Sequence, residues 1–366
     1  MIRVAIVGCG KVAEQHASQI KRIKKASLVG VCDTERLMAL QMQERFDVPT
    51  ATESLEELFE RARPDVVHIT TPPQSHYSLA AASLNAGCHV YVEKPFTINA
   101  REAEDLLRMA EEKKLKITAG HNMQFTVASM RMRRLVASGF LGGPPVHMEA
   151  YYGYDLGDPT YAKAFLGDRH HWLRHLPGGL IQNVISHAVA KIAEFLEGEQ
   201  AVVRAMGFRS PLLRGIGETE IFDELRAIVS DGRSTTAYLT FSTCMRPALH
   251  QLRLFGPKNG LELDEDHQSL IRLRGASHKS YLEQFVPPFS MARQYAGQGL
   301  SNIKAFLRQD LHNDVGMKQL METFYGSIEG KNPLPISYRE ILLTARIMDE
   351  IFAQLREGRA EGGATQ

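Results

Sequence analysis

Val4-Ala5-Ile6-Val7-Gly8-Cys9-Gly10-Lys11-Val12-Ala13 decides the fold of the first third of the chain. Four apolar residues run directly into Gly8-x-Gly10-x-x-Ala13, an order that reads strand, glycine turn, helix. Gly8 permits the tight turn, Gly10 lets backbone approach a pyrophosphate, and Ala13 allows close helix–strand packing. The N–H groups of that helix start, with Lys11 and Val12 among them, are placed to receive phosphate charge. The next apolar run, Leu28-Val29-Gly30-Val31-Cys32, ends at Asp33, whose two oxygens suit a ribose diol. A glycine pattern alone is a common accident, and Asp33 alone could cap a turn. In register, the two predict a dinucleotide site. Asp33 would repel a 2′-phosphate, which favours NAD, while Arg36 leaves NADP open.

Working outward, strands and helices alternate. Val66-Val67-His68-Ile69 reads as a strand before Thr70-Thr71-Pro72-Pro73, and a helix over 75–86 stops at Gly87. Ser54 with Glu57 forms a capping box. Asn99 caps a helix whose Ala103, Leu106, Leu107 and Ala110 share a face, and 116–119 is a fifth strand. Such alternation predicts a parallel, doubly wound sheet. Val90-Tyr91-Val92-Glu93-Lys94-Pro95 delivers an acid and a base at the carboxyl end of a buried strand, where open parallel sheets bind ligands. Lys94 precedes a proline and is held extended. The plain alternative is a solvated strand end.

Composition sets the bounds. The 366 residues exceed one typical core and predict two domains, 1–121 and 122–366. Hydrophobic content of 44%, charged content of 23% and a net charge of +1 describe an ordinary globular protein, with no reason to expect nucleic acid or membrane as partner. No apolar run reaches membrane-span length and no signal peptide opens the chain, so the cytoplasm is expected. Cys9, Cys32 and Cys244 fall in or beside strands and read as reduced and mostly buried; with Cys88 they show no metal pairing.

Beyond residue 121 the β-prone runs 147–152, 201–205, 225–229, 235–241, 251–255 and 261–263 follow with few helices between. They predict an α+β domain with a large, mostly antiparallel, open-faced sheet, able to form a homodimer or homotetramer through that face. The stretch 265–312 has no clear pattern. A helix over 338–355, able to pack back toward the N-terminal domain, closes the chain. The run 182–197 reads as a helix with Asn183 and His187 one turn apart on one face. A pair so placed can orient a hydroxyl and take its proton, or can be a capping amide and a structural histidine. His170-His171-Trp172-Leu173-Arg174-His175 is rich in imidazole, but its spacing matches no zinc pattern, so no metal is expected.

Taken together, Gly8-x-Gly10-x-x-Ala13, Asp33, Thr71-Pro72-Pro73-x-x-His76, Glu93-Lys94-Pro95, Gly178-Gly179…His187 and Leu334-Pro335…Ser337 resemble the family of glucose–fructose oxidoreductase, inositol dehydrogenase and MocA along nearly the whole chain. The resemblance implies a Rossmann domain, a second α/β domain and NAD(P)-dependent redox chemistry on sugars, inositols or related polyols. It places Lys94 and His187 beside substrate and nicotinamide, and Thr71, Pro72, His76 and Glu93 beside the cofactor. Asn122, His170, Trp172 and Arg174 are candidates for the substrate pocket. One departure stands out: the family's aspartate four residues before the histidine is Asn183 here, and Gln124 stands where an arginine is frequent. An amide orients a hydroxyl but is no base. The base is therefore His187 or Lys94, and His187 is preferred because imidazole titrates near neutrality. Tyr154 and Tyr161 are reserve candidates. Two other readings remain: a redox-neutral, glycosidase-like enzyme using a retained cofactor, and a dinucleotide- and sugar-binding sensor.

Overall fold

The computed structural model describes all residues except 157–165, 169, 276–280, 308–314 and 363–366, with side chains of 358–362 also left aside. The chain forms two compact units. The first is Met1–Phe125 with Gly316–Ala345, and the second is Thr126–Val315 with Arg346–Gln366. The unit boundary falls inside the helix Tyr338–Gly362, longer than the expected 338–355.

The first unit carries six parallel strands in the order β3-β2-β1-β4-β5-β6. These are β1 Ile2–Val7, β2 Ala26–Cys32, β3 Thr50–Thr52, β4 Val66–Ile69, β5 His89–Val92 and β6 Ile117–Ala119. The helices between them are α1 Lys11–Lys21, α2 Arg36–Phe46, α3 Leu55–Ala62, α4 His76–Asn85 and α5 Ala100–Glu112. β3 is new relative to the sequence reading, because three residues are too few to show a period. The strands are buried on both faces, as expected where helices cover a parallel sheet. Ser54 Oγ accepts from Glu57 N at 3.1 Å, and Asn99 Oδ1 accepts from Glu102 N at 2.9 Å. Half of the capping box is therefore made, since the Glu57 carboxylate pairs with Arg61 at 2.6 Å.

The second unit is built on seven strands ordered β13-β12-β11-β7-β10-β9-β8. They are β7 His147–Gly153, β8 Val202–Phe208, β9 Glu224–Ser230, β10 Thr236–Ser242, β11 His250–Phe255, β12 Asn259–Asp264 and β13 Ser269–Arg274. β10 pairs with β7 in parallel and the remaining neighbours are antiparallel, so the sheet is mixed. α6, Val127–Ala137, and α7, Gly179–Phe195, cover one face, and α7 packs on β7 and β10. Inward Leu225, Ala227 and Val229 alternate with outward Arg226 and Ile228 along β9, the period of a half-covered strand. Within the unpatterned 265–312 stretch lie β13 and a helix, Leu282–Leu307. Cys244 is exposed, against expectation, because it stands in the turn after β10 rather than in the strand. Cys9, Cys32 and Cys88 are buried. No helix among the described residues is long and apolar enough to cross a membrane.

Candidate functional site

The glycine turn forms as its residues require. Gly8 sits at φ +91°, in the region that favours glycine, and a Cβ there would lie 2.6 Å from Thr71 Cγ2. The turn is thus pressed against the loop after β4, where Thr70 Oγ1 donates to Gly8 O at 2.6 Å. Gly10 is the N-cap of α1 with no side-chain bond, and a Cβ there would meet nothing within 4 Å. Open first-turn amides over open space are the cradle a pyrophosphate needs, so the residues present fit a dinucleotide. Lys11 and Val12 form the first turn, and a cavity of about 590 Å³ opens beside it, lined by Cys9, Gly10, Lys11 and residues of α2. Asp33 is doubly engaged: Oδ2 accepts from Cys9 N at 2.6 Å and Oδ1 from Glu35 N at 2.9 Å. Each oxygen keeps a second lone pair for a ribose hydroxyl. Arg36 pairs with Glu53 at 3.6 Å on the surface.

Thr71 and Pro72 form the turn into α4, with Ser75 Oγ donating to Thr71 Oγ1 at 2.7 Å. His76 is fully buried, its Nε2 2.8 Å from Thr71 O and its Nδ1 2.9 Å from Pro95 O. His76 thus stands between this turn and the Lys94-Pro95 corner, and as a neutral ring its one N–H donates to one of the two carbonyls. Burial lowers its pKa.

At the corner the Lys94–Pro95 peptide is cis. Burial lowers the Lys94 pKa, with Glu93 acting against it. Glu93 faces inward: a Cβ at Gly120 would stand 2.8 Å from Glu93 Oε1, so only glycine leaves room for the carboxylate. From there a buried chain of contacts runs to a helix spanning Val315–Ile328. Glu93 Oε1 lies 2.9 Å from His16 Nε2, His16 Nδ1 lies 2.8 Å from His68 Nδ1, and His68 Nε2 lies 2.8 Å from the Tyr325 hydroxyl. With Glu93 ionised, one donor order satisfies every link using neutral rings. Tyr325 O–H donates to His68, His68 Nδ1–H to His16, and His16 Nε2–H to Glu93. The opposite order needs a protonated Glu93. Burial pushes the Glu93 pKa up, but the His16 bond and the Lys94 charge outweigh it and hold the group below its ordinary value. Carried by neutral rings, the chain runs in that direction only. Burial and the nearby His16 hold the His68 pKa well below normal, consistent with a neutral ring. Tyr91 stacks on His68 with centroids 4.5 Å apart, and its buried hydroxyl has no hydrogen-bond partner. His121, also buried, has its pKa lowered to about 4 by burial. Asn122 opens a short 3₁₀ turn and is half-buried.

In the second unit, α7 carries half-buried Asn183 and buried His187 one turn apart. The His187 ring lies 6.5 Å from Tyr152, nearly parallel at 17°. One further turn along, Lys191 forms an ion pair with Glu265, both buried. The 3₁₀ turn Trp172–His175 packs on α7. Its Trp172 is half-buried with His171 stacked 5.7 Å away, whereas His170 is exposed. Arg174 is ion-paired to Glu218 at 3.0 Å and Glu220 at 3.7 Å beside a cavity of about 260 Å³. Its charge is already answered within the protein, which weakens it as a ligand for substrate. Tyr154 lies in the described chain and Tyr161 outside the described residues. No cluster of three or more potential metal ligands occurs among the described residues. His16, His68, Tyr325, Tyr152, Lys191 and Glu265 were not legible as members of these clusters. The one available signal was a histidine, His68, within an otherwise apolar strand.

Residues 2–121 match the family model described as an oxidoreductase family with an NAD-binding Rossmann fold. Among curated proteins, D-glucoside 3-dehydrogenase of Escherichia coli is 30% identical over 142 residues, 38% of this chain and 40% of that protein. UDP-N-acetylglucosamine 3-dehydrogenase of Acidithiobacillus ferrooxidans is 32% identical over 149 residues, 41% of this chain and 44% of that protein. The chain thus spans less than half the length of these curated relatives in the matched region. The WlbA dehydrogenase of Bordetella pertussis, solved with NADH and UDP-GlcNAcA, shares the fold at a TM-score of 0.76, with 16% identity over 98% of this chain and 96% of that one.

Proposed function

We propose that this chain, whose N-terminal domain belongs to the oxidoreductase family with an NAD-binding Rossmann fold, transfers hydride between nicotinamide and a secondary alcohol or ketone of a sugar, inositol or related polyol. The observation that carries the reading is the Gly8–Gly10 cradle with Asp33 Oδ2 bonded to Cys9 N, which joins the phosphate turn to the ribose acceptor. Bound NAD supplies a hydride acceptor. The chain supplies the rest. Lys94 donates to the alkoxide that develops as hydride leaves carbon, a charge concentrated in the transition state. His187 takes the hydroxyl proton, and Asn183 orients that hydroxyl. In reduction the same proton returns to the carbonyl oxygen. The relatives' names, which specify a glucoside and a nucleotide sugar, support a sugar-like substrate.

Asp33 and the engagement of Arg36 by Glu53 support NAD over NADP. The open face of the second unit's sheet, with exposed Met206, Ile228 and Tyr238, suits pairing between copies as a homodimer or homotetramer. Three buried free cysteines suit a cytoplasmic location. The test is to incubate the protein and NAD with a panel of free sugars, inositols and nucleotide sugars while following NADH and product together. Net NADH is the expected result. Product without net NADH would favour the redox-neutral enzyme, and saturable binding of both ligands without either would favour the sensor.

A further inference from the structure

The Leu282–Leu307 helix has no buried residue. It is seated along β13 and the turn before it by polar contacts: Gln294 Oε1 accepts from Arg272 N at 3.0 Å, Gln294 Nε2 donates to Arg272 O at 3.2 Å, and Asn302 Nδ2 donates to His267 O at 2.7 Å. Away from those residues runs a stripe, Leu282, Phe285, Phe289, Ala292, Ala296, Gly299, Ile303 and Phe306. Its steps alternate three and four, the spacing of a coiled-coil seam. Phe289 is 78% exposed and Phe306 65%. With neighbours such as Leu300 and Leu307 also bare, the apolar surface is on the order of 1,000 Å², taking aromatic side chains at about 150–250 Å² each. A monomer's largest patch is ordinarily about 300–600 Å². One side of a stable interface buries about 800 Å².

The chemistry of the helix selects its occupant. Arg293 and Lys304 are its basic residues and Glu283 its acid, while Gln284, Gln294, Gln298 and Asn302 supply neutral polarity. A membrane-surface helix is rich in lysine and arginine on its polar side. The stripe is instead complementary to itself when reversed. Large residues stand at both ends and small ones in the middle. In an antiparallel seam, Leu282 faces Phe306 of the partner subunit, Phe285 faces Ile303 of the partner subunit, Phe289 faces Gly299 of the partner subunit, and Ala292 faces Ala296 of the partner subunit. Phe289 then fills the space at glycine, where a Cβ would meet nothing within 4 Å. Pro287 and Pro288 lie in the first turns, outside the Phe289–Ile303 centre of the seam.

We propose that this helix pairs antiparallel with the same helix of a second copy about a twofold axis, in a contact separate from the sheet face. Each residue of the seam then serves twice, as an isologous interface requires. The experiment is sedimentation velocity of the full chain across a concentration series, for the parent, the double variant Phe289→Asp/Ile303→Asp, and the sheet variant Met206→Arg. The helix variant should weaken one association step by roughly 100-fold or more. Its NAD titration should match the parent's, showing that the fold is kept. Met206→Arg should leave that step in place, so failure of the sheet reading and of this one are distinguishable. In a Cys244→Ser background, mixed Ala292→Cys and Ala296→Cys proteins should form the mixed disulfide ahead of either homodisulfide. A parent that is monomeric throughout, or an association indifferent to Phe289→Asp/Ile303→Asp, would overturn the proposal. So would sedimentation of the parent, but not that variant, with phosphatidylcholine–phosphatidylglycerol vesicles in the absence of self-association.

Discussion

Around Glu93, one buried carboxylate is met by a chain of two imidazoles and a phenol, whereas one turn beyond His187 a buried lysine and glutamate meet as an ion pair. The first arrangement answers its carboxylate through a hydrogen-bonded chain, so losing the His68 link orphans the neutral Tyr325 hydroxyl. The second sets two charges against each other, so losing one partner strands the other. Buried neutral groups left unsatisfied cost about 1–3 kcal/mol, while a buried charge left alone costs about 3–5 kcal/mol. The two candidate groups thus stand on different supports. Lys94 follows a carboxylate held ionised by hydrogen bonds. His187 stands one helical turn from a buried ion pair.

That contrast is open to attack at several depths. The deepest cut is in rate. With a turned-over substrate in hand, Lys94→Ala and His187→Ala should each reduce kcat by on the order of 10²–10⁴ while NAD affinity stays near the parent's. Steady-state kinetics with a parallel cofactor titration would read both, and an unchanged kcat for either would remove that residue from the proposed chemistry. Asn183→Asp should shift the acidic limb of the pH–rate profile upward, since a negative charge one turn away raises the His187 pKa.

Next in size, Lys191→Met should lower unfolding stability by about 3–5 kcal/mol in urea titration, and adding Glu265→Leu should restore much of it. Recovery is the telling result. A double variant no better than the single one would mean that the pair acts through packing, not charge.

His68→Leu should cost less, about 1–3 kcal/mol, since it orphans the Tyr325 hydroxyl and the acceptor bond of His16. It should also change how stability responds to acid. Folded His68 stays neutral well below the ordinary histidine value of 6.5, while the unfolded chain takes up a proton near it. The unfolded state therefore binds more protons as pH falls below about 6.5, and the parent loses stability there by up to about 1.4 kcal/mol per pH unit for each such histidine. His68→Leu removes one of these contributions and leaves that of His121, held at about 4. Urea midpoints at pH 7.5 and 5.5 compare the slopes, and equal slopes would put His68 outside the buried neutral set.

The smallest effect sharpens the comparison most. Tyr91→Phe removes a buried hydroxyl that has no partner, so stability should be unchanged or slightly raised, within about 1 kcal/mol. A larger loss would show that the hydroxyl belongs to the network after all.

The first sheet was largely legible because its signals are local. The Val4–Val7 run, the glycine turn, Asp33 and the Asn99 cap each act within a few residues. The support of the corner was not legible. His16 and His68 lie on α1 and β4, and Tyr325 enters from far down the chain; topology alone joins them. Gly120 hid the same way, since its need for smallness comes from Glu93 across the sheet. The Leu282–Leu307 helix escaped because Pro287-Pro288 breaks the reading of a helix and none of its residues is buried.

Asp33 carries a consequence for redesign. A common instinct for moving a dehydrogenase from NAD to NADP is to delete the acidic residue at the end of the second strand. Here that carboxylate also tethers the backbone of the phosphate turn through Cys9 N and closes its own turn through Glu35 N. Removing it would loosen the grip on both cofactors together. The exchange is better begun at Glu53, whose removal frees the Arg36 guanidinium while the turn keeps its anchor. Cofactor preference and cofactor affinity are thereby separable in this protein, but only in that order of substitution.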